Sequence, residues 1–439
     1  MNPCAVLRAK RLIDGSGKEP IDHPVVVVKD SQIAEVGTEN EVDVPEGENV
    51  EEITLENETL LPGFIDSHTH ICSGAVLASN QTRGETRITA EERTFRAYPH
   101  HVGVSTWEPR ATLPEGIRMI VATMNARNTL RAGITTIKDA GGPNRIPWDL
   151  REAWKMGLID APRILISGWP LTITGGHGWL SGDCEADGVD GVRKKVRQFV
   201  KQDVDVIKIM ASGGGATPRS NNRQVSFSED ELRAIVEEAH KLGRTTFAHC
   251  EAYDSIGNAA RAGVDALEHC GFILADGSRG FDEEAVKIMA QKRLFYNSTL
   301  QTGSEVRDSL REKKASREIL TQSEERALEV QEYKIRRKQE NLARIVKMGV
   351  QIVAGSDAGG DRLLRSMELM VEAGLTTMQV IVAATSNGAK ALKMDHLFGT
   401  IRKGLKADII AVEGNPSKNI SDLRSLKMVM REGKRVRLD

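Results

Sequence analysis

The chain has 439 residues, 40% hydrophobic and 28% charged, with a formal net charge of -2. That length exceeds one small core and calls for a large barrel with an attachment, or for two to three domains. Near-neutral charge and 4% aromatics leave no electrostatic or stacking case for nucleic acid or an anionic membrane. Five scattered cysteines (Cys4, Cys72, Cys184, Cys250 and Cys270) form no C-x-x-C and fit free thiols in a reducing compartment. Residues 1–11 lack the apolar core of a signal peptide, and no apolar run is long enough to span a bilayer, so a cytoplasmic location is expected.

Residues 1 to about 60 read as short strands, among them the β-branched run 24–29. The stretch 61–70, Leu-Pro-Gly-Phe-Ile-Asp-Ser-His-Thr-His, opens on a Pro-Gly turn signal and runs into two histidines. In a strand, Asp66, His68 and His70 share one face, and two imidazoles at a strand end can reach one metal ion. An H-x-H pair alone is more often an ordinary hydrogen-bonded pair. Residues 79–115, with His100, His101 and Trp107, show no clear strand and read as a lid or a solvated insertion.

From there strands and helices alternate. Helical patterns at 117–133, 147–156, 189–202, 228–242, 256–262 and 282–292 separate strands at 134–139, 163–167, 204–210, 245–249, 266–269 and 294–300. Ser228 and Glu231 form a capping box. Residues 304–348 are highly charged and helical, which points to a solvated outer face or a subunit contact. An eighth strand covers 350–357, followed by helices at 367–374 and 377–386 and strands at 403–412 and 426–437. Eight strands with intervening helices argue for a (β/α)8 TIM barrel, α/β in class. The strand-rich ends, 1–60 plus 397–439, would make one small composite β-sandwich domain beside a barrel of 61–396.

Polar residues collect at the carboxyl ends of the predicted strands, where this fold places its active sites. His68 and His70 end the first, Lys208 lies near the end of the fourth, and His249, His269 and Asp357 end the fifth, sixth and eighth. Singly, His249 or His269 is as well read as a core histidine, and Asp357 as a helix cap. Lys208 is harder to place so, because a buried ammonium must be paired, neutral or modified.

This pattern resembles the amidohydrolase superfamily of metal-dependent hydrolases over nearly the whole chain. The resemblance is carried by Pro62-Gly63-Phe64-Ile65-Asp66-Ser67-His68-Thr69-His70, Ile207-Lys208-Ile209-Met210, Ala248-His249, Glu268-His269 and Gly355-Ser356-Asp357-Ala358-Gly359. It implies two divalent metal ions, zinc first among the candidates. His68, His70 and Asp357 would hold one and His249 and His269 the other, with Lys208, carboxylated by carbon dioxide, bridging them. It further implies that a metal-bridging hydroxide attacks the substrate while Asp357 takes the proton and passes it to the leaving amine.

The segment 171–179, Leu-Thr-Ile-Thr-Gly-Gly-His-Gly-Trp, resembles the prolidase-like and imidazolonepropionase-like branch. That branch implies a small-molecule substrate, a dipeptide (Xaa-Pro or another C-terminal residue) or an N-acyl amino acid, and association into a homo-oligomer. The substrate carboxylate needs donors near the metals, and His177, Arg219 and Tyr253 are the candidates on loops after the third, fourth and fifth strands. A cyclic amidase, a hydrolase of xenobiotic amides or carbamates, and a non-catalytic barrel scaffold are the other readings.

Overall fold

The computed structural model describes residues 4–45, 47, 50–72 and 114–438. Both parts of the chain that flank the α/β region build one eight-stranded sheet. Its order is Lys434–Arg435, Leu426–Arg431, Ile409–Glu413, Val50–Pro62, Cys4–Leu12, Pro24–Lys29 and Gln32–Thr38, with Ile21–Asp22 pairing beside Cys4–Leu12. Alternation of side chains explains why four consecutive valines suit it. Val26 and Val28 join an apolar cluster with Leu7, Leu60 and Ile409, while Val25 and Val27 join another with Val6 and Val42.

Among the described residues the α/β region carries eight parallel strands: β1 (Phe64–Thr69), β2 (Ile134–Asp139), β3 (Arg163–Ile166), β4 (Val206–Met210), β5 (Thr245–Ala252), β6 (Ala266–Ile273), β7 (Phe295–Asn297) and β8 (Gln351–Ile352). They form a three-stranded arc, β1-β2-β3, and a five-stranded arc, β8-β7-β6-β5-β4. Strands β1 to β4 are buried at every residue; β3 and β4 are mainly apolar, whereas β1 and β2 bury polar side chains as well, among them Asp66, His68, Lys138 and Asp139. Backbone hydrogen bonds join the arcs at both edges, from Ser67 to the Ala354 carbonyl (2.9 Å) and from Leu171 to the Lys208 carbonyl (2.8 Å).

Gly63 is the joint between sheet and arc. A Cβ there would stand 2.2 Å from the Thr135 hydroxyl, so only glycine lets β1 pass so close to β2. Lower on the same side, the Arg163 guanidinium of β3 meets Asp408 at 2.8 Å and Glu432 at 2.7 Å, tying the arc to the C-terminal strands.

The Ser228 capping box is present as expected, with Glu231 as its partner. The charged stretch resolves into two helices, Ser304–Ala315 and Gln322–Lys347. The second is no mere solvated face: Leu328, Ile335, Leu342 and Ile345 are buried, and Lys338 Nζ reaches 3.4 Å from the Thr299 carbonyl. The expected eighth strand pairs in the ladder only at Gln351–Ile352. Beyond it, the amides of both Ser356 and Asp357 turn onto the His68 carbonyl, which a regular ladder does not allow. Of the predicted lid or insertion, residues 79–113, including His100, His101 and Trp107, lie outside the described residues, and a helix begins at Glu115. No helix among the described residues is long and apolar enough to cross a membrane.

Candidate metal centre

His68 (β1), His70 (just after β1), Lys208 (β4), His249 (β5), His269 (β6) and Asp357 (after β8) come together at the carboxyl ends of the parallel strands. Ring centroids are 5.4 Å apart for His68 and His70, 5.2 Å for His68 and His269, and 4.7 Å for His249 and His269. One ligand atom from each of His68, His70 and Asp357 lies within 4.8 Å of the others. Asp357 Oδ1 stands 3.2 Å from His68 Nε2 and 3.4 Å from His70 Nε2.

Hydrogen bonding on the far side of each ring decides what these nitrogens offer. His68 Nδ1 lies 2.9 Å from the Glu268 carboxylate, and His70 Nδ1 lies 2.9 Å from the Gly141 carbonyl. Both partners only accept, so each ring places a proton on Nδ1 and turns Nε2 toward Asp357. His68 Nε2 is buried and has no partner of hydrogen-bond geometry. Lone pairs facing a carboxylate repel unless a cation sits among them, so this donor set fits a metal ion. By the same reasoning His249 Nε2, 3.1 Å from the Gly213 carbonyl, leaves Nδ1 as its electron-pair donor. His269 Nδ1 meets the Thr299 hydroxyl at 2.7 Å.

Electrostatics agree. Burial pushes His249 and His269 well below the ordinary imidazole range, which keeps both neutral. Lys208 is 1% exposed, with Nζ 4.9 Å from the Phe247 ring centroid, and burial lowers its pKa to about 8. Among the described residues it makes no ion pair.

The same site holds residues to which sequence reasoning gave no role. Lys138 Nζ lies 3.6 Å from the Phe247 ring centroid and pairs with Glu268 at 3.0 Å. Burial opposes the charge of Glu268, but Lys138, then His68 and Lys208, outweigh it and hold its pKa at about 2. Asp66 turns away from the metal face: Oδ1 accepts from the amides of His68 (3.1 Å) and Ser356 (3.0 Å), tying β1 to the turn that carries Asp357. Burial, opposed by these bonds, raises it to about 7. Backbone strain concentrates here as well, with φ of 66° at His269, 58° at Asp357 and 43° at Thr299, each costing on the order of 1–3 kcal/mol.

His177 comes to the histidine group, its ring 4.9 Å from that of His249. It is buried, and burial followed by the Lys208 charge lowers it to about 4, so it is neutral. Gly214 makes room for it, since a Cβ there would lie 2.4 Å from His177 Nε2. Arg219 is exposed on the loop after β4, and Tyr253 is half-buried, its ring edge-on to Phe272 at 6.4 Å.

Gly355 sets the spacing between β8 and β1. A Cβ there would stand 2.2 Å from Asn297 Nδ2 and 2.9 Å from His68 Cβ. Gly355→Ala is therefore expected to displace His68 and to lower kcat/KM about a hundredfold, with metal per chain falling in parallel when counted by mass spectrometry. Unchanged kinetics would mean that Asn297, not His68, absorbs the clash.

Histidines at strand ends, a carboxylate among them and a buried lysine between are the equipment of a metal-assisted hydrolase. The profile of the amidohydrolase family matches residues 59–436, and the chain belongs to that family, hydrolases acting on carbon–nitrogen bonds. It is 28% identical to the ochratoxinase of Aspergillus niger, over 97% of this chain and 84% of that one. Among solved structures, a prolidase complexed with N-methylphosphonate-L-proline superposes with a TM-score of 0.75 at 29% identity, covering 99% of both chains. A Xaa-Pro dipeptidase with bound methionine in its active site shares the fold, with a TM-score of 0.77 at 24% identity over 99% of both chains.

Proposed function

We propose that this amidohydrolase holds two divalent metal ions, zinc first among the candidates, and cleaves a linear amide: a dipeptide or an N-acyl amino acid. The convergence of the His68 and His70 Nε2 lone pairs on Asp357 Oδ1 carries this reading. His68, His70 and Asp357 would hold one ion, and His249 and His269 the other, with Lys208 as a carbamate between them. A pKa of about 8 supports that modification, because roughly a tenth of the amine is neutral at pH 7 and open to carbon dioxide.

When bound, the metals would acidify a water and polarise the scissile carbonyl. Asp357 receives the proton and returns it to the leaving amine, its Oδ2 steadied by the Thr302 hydroxyl at 3.3 Å. Glu268 holds the His68 ring in one tautomer, and neutral His177 offers a hydrogen bond to the substrate. The prolidase and ochratoxinase relatives support an amide substrate. The hydrogen bonds at both arc edges support a closed (β/α)8 barrel over 61–396, and the one eight-stranded sheet supports a single composite β-domain of 1–60 and 397–439 in place of two separate ends. Five free cysteines favour the cytoplasm.

The test begins with chelation. Stripped protein is expected to be inactive and to regain turnover when zinc and bicarbonate return, with about two ions per chain. The restored enzyme is then offered dipeptides and N-acyl amino acids varied at the C-terminal residue, with released amino acid as the readout. Silence across that panel with two metals bound would discard the linear-amide reading in favour of cyclic or xenobiotic amides.

A further inference from the structure

Lys138 is a buried charge for which the proposed reaction has no use. It stands in β2, 4% exposed, with Nζ 3.0 Å from Glu268 Oε1 and 3.6 Å from the Phe247 ring centroid. An ion pair withdrawn this far from water is seldom a net stabiliser, and apolar side chains of the same volume would fill the space as well. The pair is better explained by what it does to its neighbour.

Glu268 divides its two oxygens. Oε1 takes the Lys138 ammonium and Oε2 takes His68 Nδ1 at 2.9 Å, while His68 Nε2 faces Asp357 Oδ1 at 3.2 Å. One line of contacts thus runs from β2 through β6 and β1 to the turn after β8. The terminal torsion of a glutamate is broad, so a single hydrogen bond leaves the carboxylate free to swivel, and a second at the other oxygen stops it. The ammonium has three donors and no acceptor, so it always demands an acceptor atom from the side chain beside it.

We propose that Lys138 is a positioning residue for the metal centre: by holding Oε1 of Glu268 it presents Oε2 to His68 Nδ1 and so keeps His68 Nε2 directed at Asp357. This role rests on the two-metal reading and deepens it. With glutamine in place of Glu268, the ammonium claims the amide oxygen and turns the amide N–H toward His68 Nδ1. Nδ1 must then accept, the ring proton moves to Nε2, and the lone pair is lost from the side facing Asp357. Removing Lys138 as well frees the amide to turn its oxygen back to Nδ1. The second substitution should therefore undo the harm of the first, which a purely structural pair cannot do.

The experiment is a double-mutant cycle on zinc affinity, measured by competition with a chromophoric chelator in the presence of bicarbonate. It takes wild type, Glu268→Gln, Lys138→Met and the double variant. Glu268→Gln is expected to weaken binding of one of the two ions about 10- to 100-fold, and the double variant to regain about tenfold or more of that loss. Unweakened binding in Glu268→Gln, or a double variant that binds no better than it, overturns the proposal. If Glu268→Gln does not fold, Lys138→Met is compared with Lys138→Arg. Affinity about tenfold below wild type in the first and near wild type in the second upholds the positioning role. Wild-type affinity in Lys138→Met, or equal loss in both, overturns it. Wild type that takes up no zinc retires the two-metal reading and this role together, whereas two ions bound and an additive cycle retire only the role.

Discussion

Asp357→Asn is expected to lower kcat by about a thousandfold or more, because in the proposed mechanism one side chain would supply both a metal ligand and the proton path. An amide in its place keeps the shape but presents a poorer donor to the cation and no basic oxygen to the water. Asp357 is also set in a left-handed backbone, φ 58°, by two amides that turn onto the His68 carbonyl, so the substitution changes chemistry more than position. Metal content measured beside kcat separates the roles: two ions with no turnover isolates the proton transfer, whereas one ion isolates the ligand. Lys208→Ala should be comparably inactive. Activity within about tenfold of wild type in both variants would remove these residues from the reaction.

The second large effect concerns stability. Glu268→Gln leaves Lys138 buried, 4% exposed, without its carboxylate at 3.0 Å, and should cost about 3–5 kcal/mol, read as a lower urea midpoint of the chelated protein. The pH dependence follows from the same pair. Folded Glu268 titrates at about 2, below its ordinary 4.5. Its contribution, about 3 kcal/mol, is therefore complete above pH 4.5 and is lost as the pH falls toward 2. The variant should lack this part of the acid slope, and chelated wild type with the same slope as the variant would show that Glu268 is not the group responsible. Replacing both Lys138 and Glu268 with methionine should recover much of the loss, since no lone charge stays buried.

Much of this was readable from residues alone because local rules applied. Period-two spacing put His68 and His70 on one face, Ser228 and Glu231 announced a helix start, and apolar runs of strand length alternated with helical patterns. What escaped depended on partners distant in sequence. The burial argument that singled out Lys208 applies equally to Lys138, and nothing local says that Lys138 meets Glu268, 130 positions away. Glu268 itself stood in view beside His269, yet its direction depends on the β6 backbone, which turns left-handed at His269. Charge density likewise concealed the inner side of the helix Gln322–Lys347, where Ile335 and Leu342 are buried and Lys338 reaches inward between them. Of the three proposed carboxylate donors, His177 reached the histidines, while Arg219 stayed on the surface and Tyr253 stood against Phe272.

The eight-stranded sheet imposes an order on biosynthesis. Val50–Pro62 lies between Cys4–Leu12 and Ile409–Glu413, so one of its edges has no companion until on the order of 350 further residues have left the ribosome. At usual translation rates that is roughly 20–70 s during which Leu60 and Leu61, fully buried in the finished protein, have an open strand edge beside them. The α/β region can gather its own parallel strands in that interval, but the strand leading into His68 stays unclamped on one side. A nascent chain of this protein is thus a natural client for a chaperone that shields strand edges, and a stop anywhere before Ile409 would leave that edge permanently exposed to pairing with another chain.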